Sequence, residues 1–314
     1  MTGGDPAALL AEAVEGSRRA LARLITLVEH GGDEARAVGR LTYPRGGAAY
    51  TIGVTGAPGA GKSTLTDRLV AHARSQHRQV AVLAVDPSSP FSGGAILGDR
   101  VRMQGHAGDP GVFIRSMATR GHLGGLALAT PEAVRVLDAC GFPLVLVETV
   151  GVGQVEVEVA GRADTTVVVV NPGWGDAVQA NKAGLLEVAD VLVVNKADRP
   201  GAAQVERDLR AMLDMNLDPG PWRPPVLRTV ATTGEGVVEV CDAVAAHRSF
   251  LEGSGLLAER RARRLDAEVR DIVLHRLAAD AERRLTGSRY DRVAADLAAR
   301  RTDPWSAAEA LLAD

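Results

Sequence analysis

The chain has 314 residues, of which 46% are hydrophobic, with a net charge of −3 and two cysteines. This length and apolar content can form one large core with accessory segments, about two domains in all. The slightly acidic charge argues against a nucleic-acid or membrane partner, no apolar run approaches the roughly 20 residues of a membrane span, and the distant Cys140 and Cys241 exclude a disulfide framework or cysteine-rich metal site.

The N-terminal stretch MTGGDPAALLAEAVEG lacks the basic and apolar regions of a secretion signal, so together with the cysteine usage we expect a cytoplasmic protein. Residues 5–28 predict one amphipathic helix, with Asp5 as its cap and Pro6 at its first position. The sequence HGGDE ends this helix and TYPRGGAA forms a linker. We therefore expect an N-terminal helical segment over residues 1–44.

From residue 50 to about 245, apolar strands alternate with helices, which is typical of a mostly parallel, doubly wound sheet with helices on both faces. This α/β domain is predicted over residues 45–250. The helix after the third strand is expected to open at Thr130-Pro131-Glu132 and reach Cys140. Residues 155–160, VEVEVA, fit a strand by period but follow a glycine turn, and we favour a helix. The predicted strands are YTIGVTG, QVAVLAV, GVFIR, PLVLVE, TTVVVV, DVLVVN and PPVLRTVA, and the other predicted helices are 62–77 and AAQVERDLRAML.

The C-terminal segment, residues 251–314, is rich in Ala, Arg, Leu and Glu and has no strand pattern. We expect two or three helices there, the last opened by Asp303-Pro304, which pack on the core or form a dimer arm. The arginine cluster of this segment is predicted to be a solvated helix face. Its members are Arg260, Arg261, Arg263 and Arg264.

A phosphate-binding loop follows the first predicted strand and opens a helix, which is the context that the motif G-x-x-x-x-G-K-[ST] requires. Its glycines allow backbone N–H groups to surround the β-phosphate, and the helix N-terminus favours the anion. Lys62 would bridge phosphate oxygens as a catalytic point charge, and the Ser63 hydroxyl would bind Mg²⁺. The nucleotide-binding residues of this loop are Gly56, Ala57, Pro58, Gly59, Ala60, Gly61, Lys62, Ser63 and Thr64.

A guanine-reading motif, Asn195-Lys196-Ala197-Asp198, follows the strand that ends at Val194. The Asp198 carboxylate would accept hydrogen bonds from the ring N–H and exocyclic amine of guanine, whereas adenine would leave it unpaired. Lys196 would lie across the base. The loop Ala231-Thr232-Thr233 is predicted as the second wall of the base pocket. GTP or GDP is therefore the expected ligand.

Lysine is rare in the chain: of 36 basic residues, three are lysines, at positions 62, 182 and 196. A compact ammonium and a planar guanidinium are not interchangeable at a tight site. Two of the lysines fall in the two nucleotide motifs. Coding bias with three leftover lysines is the alternative explanation.

Three acidic residues lie at predicted strand ends or loops on the same edge of the sheet: Asp86, Asp99 and Glu148. The carboxyl ends of parallel strands meet at the ligand crevice. Each acid alone could be a helix cap or a solvated loop residue, but together with Ser63 they predict a shared magnesium site. Glu148, in VETVGVGQ, occupies the place where a small G-protein has Asp-x-x-Gly.

Several long blocks closely resemble the MeaB/ArgK-like G-proteins, GTPase chaperones of adenosylcobalamin-dependent methylmalonyl-CoA mutase and related acyl-CoA mutases. The resemblance covers about residues 5–250. The blocks are GAPGAGKST, VDPSSPFSGGAILGDRVRM, FIRSMATRGHLGGLA, VETVGVGQVEVEVA and GWGDAVQANKAGLLEVADVLVVNKAD.

The resemblance implies that Glu148 with Gly151 is the family's second switch element, since the strand-end acid is glutamate in this family. Asp86 and Asp99 would share the magnesium shell and first switch, and Asp86 is the first candidate for orienting the attacking water, since Gln154 lies three residues beyond Gly151. A third switch loop would couple nucleotide state to the mutase through Asp176, Gln179 and Lys182.

The resemblance thus implies a P-loop GTPase that binds GTP, GDP and Mg²⁺, associates with an acyl-CoA mutase of the methylmalonyl type, and gates cofactor delivery, protection and reactivation. It also implies a homodimer formed through the C-terminal helices. Two alternatives remain at this point. One is a nickel-type metal-insertion GTPase, although the seven histidines are scattered, and the other is a kinase acting on a transport protein.

Overall fold

The computed structural model of the chain describes residues 4–86, 103–106, 108–118, 125–149, 162–173, 187–215 and 220–313. The chain forms two compact units, Met1–Arg261 and Ala262–Asp314. The helix predicted over residues 155–160 lies outside the described residues. The limits predicted for the three segments, 1–44, 45–250 and 251–314, stay predictions.

Three helices, not one, form the N-terminal segment. They are α1 (Pro6–Val14), α2 (Arg18–His30) and α3 (Gly32–Thr42). The Asp5 carboxylate caps α1 as expected, but the chain turns at Gly16, whose φ is 101°. The prediction of a single helix over 5–28 was therefore wrong, because glycine ends α1 and Ser17 caps a new helix by accepting a hydrogen bond from the Ala20 N–H at 3.2 Å.

Among the described residues of the first unit, seven parallel strands form one sheet, in the order β3-β2-β4-β1-β5-β6-β7. All strand pairings are parallel, and every residue of β4, β5 and β6 is buried. The prediction of a mostly parallel, doubly wound α/β fold is confirmed. The strands are β1 (Tyr50–Gly56), β2 (Val80–Asp86), β3 (Val112–Ala118), β4 (Leu144–Thr149), β5 (Thr165–Val170), β6 (Val191–Asn195) and β7 (Val226–Thr229).

Helices cover both faces of the sheet. Within the described ranges, four helices of the first unit follow the N-terminal segment: α4 (Lys62–Ser75), α5 (Gly125–Ala139), α6 (Ala202–Asp214) and α7 (Val237–Ser254). A further helix, α8 (Leu256–Arg284), starts in the first unit and continues into the second. Helices α2 and α5 pack on one face with Leu83 and Val145, while α4 and α7 pack on the other with Leu146 and Val169. Successive residues of β4 thus enter opposite cores, as the two-residue period of a strand requires. No helix within the described ranges is both long and apolar enough to cross a membrane.

Helix α5 differs from its prediction because it begins before Thr130 and contains Pro131 in its interior. Proline removes one hydrogen bond of the helix and normally favours a helix start. Here Ala133, Val136 and Leu137 are fully buried against the sheet. Their burial offsets the lost hydrogen bond, so proline does not mark the start of this helix.

Two arginines predicted as part of a solvated face instead make ion pairs with buried acids. Arg260 binds the carboxylate of Asp190 at 3.0 Å, and Arg261 binds that of Asp164 at 2.7 Å. Both acids are buried and immediately precede strands, β6 and β5 respectively. The prediction for these two arginines was wrong, because a buried carboxylate requires a charged partner that a sequence pattern does not show.

The second unit contains most of α8, followed by α9 (Ser288–Ala298) and α10 (Pro304–Leu312). As expected, Asp303 opens the last helix: its carboxylate accepts hydrogen bonds from the N–H groups of Trp305 and Ser306. The Arg289 side chain donates to the carbonyl of Ala313 at 2.7 Å, which ties α9 to the end of α10. Helices alone build the described part of this unit, as predicted.

Candidate functional site

The phosphate-binding loop joins β1 to α4 at the carboxyl edge of the sheet. Gly56, Gly59 and Gly61 all have positive φ, of 136°, 71° and 93°. A Cβ atom on Gly56 would lie 1.9 Å from the Val169 carbonyl oxygen, and one on Gly61 would lie 2.3 Å from the Asn195 amide nitrogen. Side chains at these two positions are therefore excluded both by backbone conformation and by space.

Lys62 is the first residue of α4 and its side chain is buried. Its ammonium donates to the carbonyl oxygens of Gly56 at 2.8 Å and Ala57 at 3.0 Å, so it lies within the curve of the loop. The helix cap, Gly61, has no side chain to occupy the first N–H groups of α4. A cation and a helix N-terminus thus face the same concave loop, which is the arrangement that binds phosphate.

Ser63 and Glu148 come together beside this loop. The Ser63 hydroxyl donates to a carboxylate oxygen of Glu148, which is buried in β4. Glu148 pairs in register with Val54 of β1 and Ala84 of β2, so it lies at the centre of the sheet near the strand ends. Two oxygen ligands predicted for magnesium from distant parts of the sequence are therefore neighbours.

The other two predicted metal ligands are Asp86 and Asp99. Asp86 is the last residue of β2 and its backbone pairs with that of Ala118. It therefore lies on the same edge of the sheet as Glu148. Its side chain and all of Asp99 lie outside the described residues. So do the predicted switch residues Gly151, Gln154, Asp176, Gln179 and Lys182.

Asn195 connects the phosphate loop with the predicted base pocket. Its amide nitrogen donates to the Ala60 carbonyl at 2.7 Å, and its amide oxygen accepts from the Thr229 hydroxyl and the Ala231 N–H, both at 3.1 Å. The side chain is buried and all its partners are fixed by sheet or loop. The end of β6 thus holds together the loops after β1 and β7.

The rest of the motif lies at the surface. Lys196 adopts a positive φ of 58°, and its ammonium donates to the Gly59 carbonyl at 2.5 Å. Asp198 is exposed. Thr64 is also exposed, in the first turn of α4.

The loop Ala231-Thr232-Thr233 faces this motif through Ala231, which is buried and bound to Asn195. The N–H of Thr233 donates to the Val230 carbonyl at 3.0 Å, and the N–H of Val230 donates to the Glu235 carbonyl at 3.0 Å, so the loop is a closed turn. Thr232 and Thr233 are exposed. The structure therefore brings the predicted second wall next to the Asn195 segment.

Arg68 contacts this loop, and no motif in the sequence points to it. It lies within α4 and donates through Nε to the Ala231 carbonyl at 3.0 Å and through Nη2 to the Thr232 carbonyl at 2.6 Å. No motif includes this position, and helical spacing alone does not indicate a partner more than a hundred residues away. The signal is spatial and appears only in the folded chain.

The comparisons with known proteins agree on one protein family. The family described as methylmalonyl Co-A mutase-associated GTPase MeaB matches residues 21–285. A protein of Pyrococcus abyssi whose name describes a GTPase is 51% identical over 301 residues, covering 95% of this chain and 93% of its own length. The GTPase ArgK of Escherichia coli is 38% identical over 268 residues, covering 81% of this chain and 80% of its own length.

Two further similarities extend this result. A Caenorhabditis elegans protein named methylmalonic aciduria type A homolog, mitochondrial, is 35% identical over 79% of this chain and 67% of its own length. A solved structure described as an LAO/AO transport system kinase superposes with a TM-score of 0.70 at 28% identity, covering 99% of this chain and 97% of that one. With its P-loop and parallel sheet, the chain is a P-loop GTPase that belongs to the methylmalonyl-CoA mutase-associated GTPase (MeaB) family.

Proposed function

We propose that this GTPase is a chaperone of an adenosylcobalamin-dependent acyl-CoA mutase, of the methylmalonyl-CoA mutase type, and that it gates delivery, protection and reactivation of the mutase cofactor. The observation that carries the proposal is the family match over residues 21–285, whose description names association with that mutase. The name of the Caenorhabditis elegans relative points to the same metabolism. The structure supports the nucleotide half of the cycle.

The phosphate half of the site supports GTP hydrolysis by positioning and charge stabilisation. Lys62 and the first N–H groups of α4 face the loop where the β- and γ-phosphates would lie, and they would stabilise negative charge that develops on the phosphoryl oxygens. Asp86, at the end of β2, remains the candidate that orients the attacking water.

The donor set beside the loop fits Mg²⁺, which prefers oxygen ligands. The Ser63 hydroxyl and the Glu148 carboxylate already touch, and Asp86 is the last residue of β2, the strand next to β4. Ser63, Glu148, Asp86 and Asp99 would hold the ion directly or through water. When bound, the ion would neutralise charge on the phosphate oxygens.

The base half of the site supports guanine as the ligand. Asn195 fixes the phosphate loop and the Ala231 loop to one strand end, and Asp198 is exposed beside them. An aspartate there would read the ring N–H and exocyclic amine of guanine. Lys196 would cover one face of the base.

Partner coupling is proposed for the segments that contain Gly151, Gln154, Asp176, Gln179 and Lys182. The first of these segments follows β4, which carries Glu148, and the second follows β5, which is paired with β1. Both therefore leave the sheet at strands next to the phosphate loop. A change at the γ-phosphate would reach the mutase through them.

A homodimer through the C-terminal helices is the proposed assembly. Helix α8 exposes a stripe of apolar side chains at helical spacing, and a second copy of the chain would cover the stripe, as a helix face of this composition favours. The stripe consists of Leu265, Val269, Ile272, Val273 and Leu277.

The test is GTP turnover of the purified protein, alone and with a candidate adenosylcobalamin-dependent acyl-CoA mutase. We expect stimulation of about tenfold or more, equivalent to ~1.4 kcal/mol off the barrier. Basal hydrolysis without a response to any such mutase would refute the mutase partner and leave the GTPase intact.

The similarity to a structure described as a transport system kinase favours one second candidate, phosphorylation of a protein acceptor. Radiolabel in the γ-phosphate of GTP distinguishes the two functions. Release of all label as inorganic phosphate supports hydrolysis, whereas stable label on a protein substrate supports the kinase. The nickel-insertion alternative stays a prediction, tested by equilibrium dialysis against Ni²⁺.

A further inference from the structure

Arg68 holds one wall of the proposed base pocket from the helix that starts at the phosphate site. We propose that Arg68 is a positioning residue for base recognition, which orients the Ala231–Thr232 peptide so that the Thr232 N–H faces the 6-keto oxygen of guanine. The inference rests on the proposed function, because it takes this loop as the wall of a guanine pocket.

The two hydrogen bonds of Arg68 fix the orientation of two consecutive carbonyl groups. Nε donates to the Ala231 carbonyl at 3.0 Å and Nη2 donates to the Thr232 carbonyl at 2.6 Å. The guanidinium is planar and rigid, so its two hydrogen bonds leave little rotational freedom to the Ala231–Thr232 peptide. The backbone of α4, which carries Arg68, is in turn fixed by its buried residues Leu65 and Leu69.

The direction of the Thr232 N–H follows from the geometry of a trans peptide, in which the carbonyl and the N–H point to opposite sides. Since the Ala231 carbonyl points toward Arg68, the Thr232 N–H points away from α4. The neighbouring donors are already engaged: the Ala231 N–H binds Asn195 and the Thr233 N–H binds Val230. Among the hydrogen bonds between described residues, none uses the Thr232 N–H.

A backbone donor at this place distinguishes the two purines by chemistry. Guanine presents a keto oxygen at ring position 6, which accepts a hydrogen bond, whereas adenine presents an amine that donates. An N–H held toward that position binds guanine and meets a second donor on adenine. Asp198 would read the ring N–H at position 1 and the amine at position 2, so the two contacts are made to different groups of the base.

The test uses three nucleoside diphosphates and measures binding by calorimetry with Mg²⁺. GDP carries both the 6-keto and 2-amino groups, IDP keeps the 6-keto group, and 2-aminopurine riboside diphosphate keeps the 2-amino group. For Arg68→Met we expect GDP and IDP to bind about five- to tenfold more weakly, the factor for one hydrogen bond to a neutral group. The 2-aminopurine nucleotide should change by less than about twofold, because it lacks the 6-keto acceptor.

Two further variants complete the design. Arg68→Lys keeps a donor but not the fork, and should restore part of the lost GDP affinity. Arg207→Met removes an exposed arginine that donates to Gln204 on its own helix, α6, and should leave all three affinities unchanged.

The inference is overturned if Arg68→Met weakens the binding of all three nucleotides equally. It is also overturned if the melting temperature falls while the ratio of GDP to 2-aminopurine nucleotide affinity stays unchanged, because either result shows a structural role. Unchanged affinities would overturn it as well. If the wild-type protein does not prefer GDP to ADP, the proposed guanine pocket fails and the inference fails with it. A wild-type preference for GDP that Arg68→Met leaves intact overturns the inference alone.

Discussion

Gly61 lies where the phosphate loop meets the Asn195 side chain, with a φ of 93°. We predict that Gly61→Ala lowers GDP affinity by more than about tenfold. The new Cβ would lie 2.3 Å from the Asn195 amide nitrogen, which donates to the Ala60 carbonyl. Displacing that amide would separate the phosphate loop from the base loop. Calorimetric titration with GDP measures the effect.

The matched control is Gly141→Ala. Gly141 also has a positive φ, 88°, but a Cβ there would have no heavy atom within 4 Å. Both substitutions carry the backbone cost of about 1–2 kcal/mol for a left-handed residue. Only Gly61→Ala adds the clash. Equal GDP affinity in the two variants would contradict the role assigned to the Asn195 contact.

Lys62 supplies a buried positive charge to the loop, and we predict that Lys62→Ala abolishes GTP hydrolysis, with a loss of at least about a hundredfold. The ammonium is held by the carbonyl groups of Gly56 and Ala57 inside the curve of the loop, so the substitution removes the positive charge that would face the phosphates. Phosphate release under saturating GTP is the measurement. Activity at the wild-type level would refute the assignment of this loop as the active site.

The candidate site was predictable from the sequence where one short segment contains both the functional side chains and the strand and helix that flank them. Lys62 and Ser63 stand in a motif between a strand and a helix, and the structure brings Ser63 to Glu148. Arg68 was not predictable, because its partners at 231 and 232 are set by where β7 lies relative to α4. Side chains that act across the sheet leave no local signature.

At the scale of elements, β5 and β6 are each preceded by a buried aspartate that pairs with an arginine of α8. Asp164 also accepts a hydrogen bond from the Thr51 N–H at 3.0 Å, so the pair with Arg261 joins three elements: β1, the start of β5 and the start of α8. The Asp164 carboxylate, which accepts hydrogen bonds from Arg261, raises the pKa of that arginine above its ordinary value, which is consistent with a tight ion pair. The start of α8 is thus anchored to the sheet.

We predict that Arg261→Met lowers the free energy of unfolding by about 3 kcal/mol, since it removes the guanidinium that binds the buried Asp164 carboxylate. Arg270→Met, in the same helix, removes an ion pair with Asp266 in which both side chains are mostly exposed, and should cost less than about 0.5 kcal/mol. Urea unfolding followed by circular dichroism compares the two. Similar costs for both variants would contradict a special role for the Asp164 pair.

The elements themselves were predictable to different degrees for physical reasons. Runs such as TTVVVV and VLVVN are apolar throughout, because both faces of a central parallel strand are buried, and they form β5 and β6 as expected. The break between α1 and α2 was missed because the apolar stripe continues in phase across Gly16 and Ser17. A periodic pattern reports which face is buried, and it does not report whether the backbone turns between two helices.

At the scale of the whole molecule, the exposed apolar stripe of α8 predicts the assembly. We expect Val269→Glu to convert a dimer into a monomer while basal GTP hydrolysis is retained, because a charge in an apolar interface is costly to bury. Sedimentation velocity gives the mass. Val238→Glu is the control: Val238 is similarly exposed but lies on α7, in the first unit. If both Val269→Glu and Val238→Glu remain dimers, the dimer contact lies outside the α8 stripe. A monomeric wild-type protein would refute the homodimer.

The proposed coupling to a mutase also concerns the whole molecule, and Lys182→Ala is its most specific test. Two of the three lysines contact the phosphate loop, Lys62 at Gly56 and Lys196 at Gly59. Lys182 follows β5, the strand paired with β1, which leads into that loop. We predict that Lys182→Ala leaves basal hydrolysis and GDP affinity within about twofold, and reduces stimulation by the mutase by about tenfold, as for a charge-assisted contact to a partner.

The matched control is Arg199→Ala, which removes an exposed cation after the Asn195 segment and should leave stimulation unchanged. Turnover with increasing mutase separates a weaker complex from a slower one, because a lost contact raises the mutase concentration needed without lowering the maximal rate. Full stimulation of Lys182→Ala by the mutase would contradict a coupling role, and coding bias would then explain this lysine. Loss of basal hydrolysis would instead place Lys182 at the nucleotide and remove it from the coupling surface.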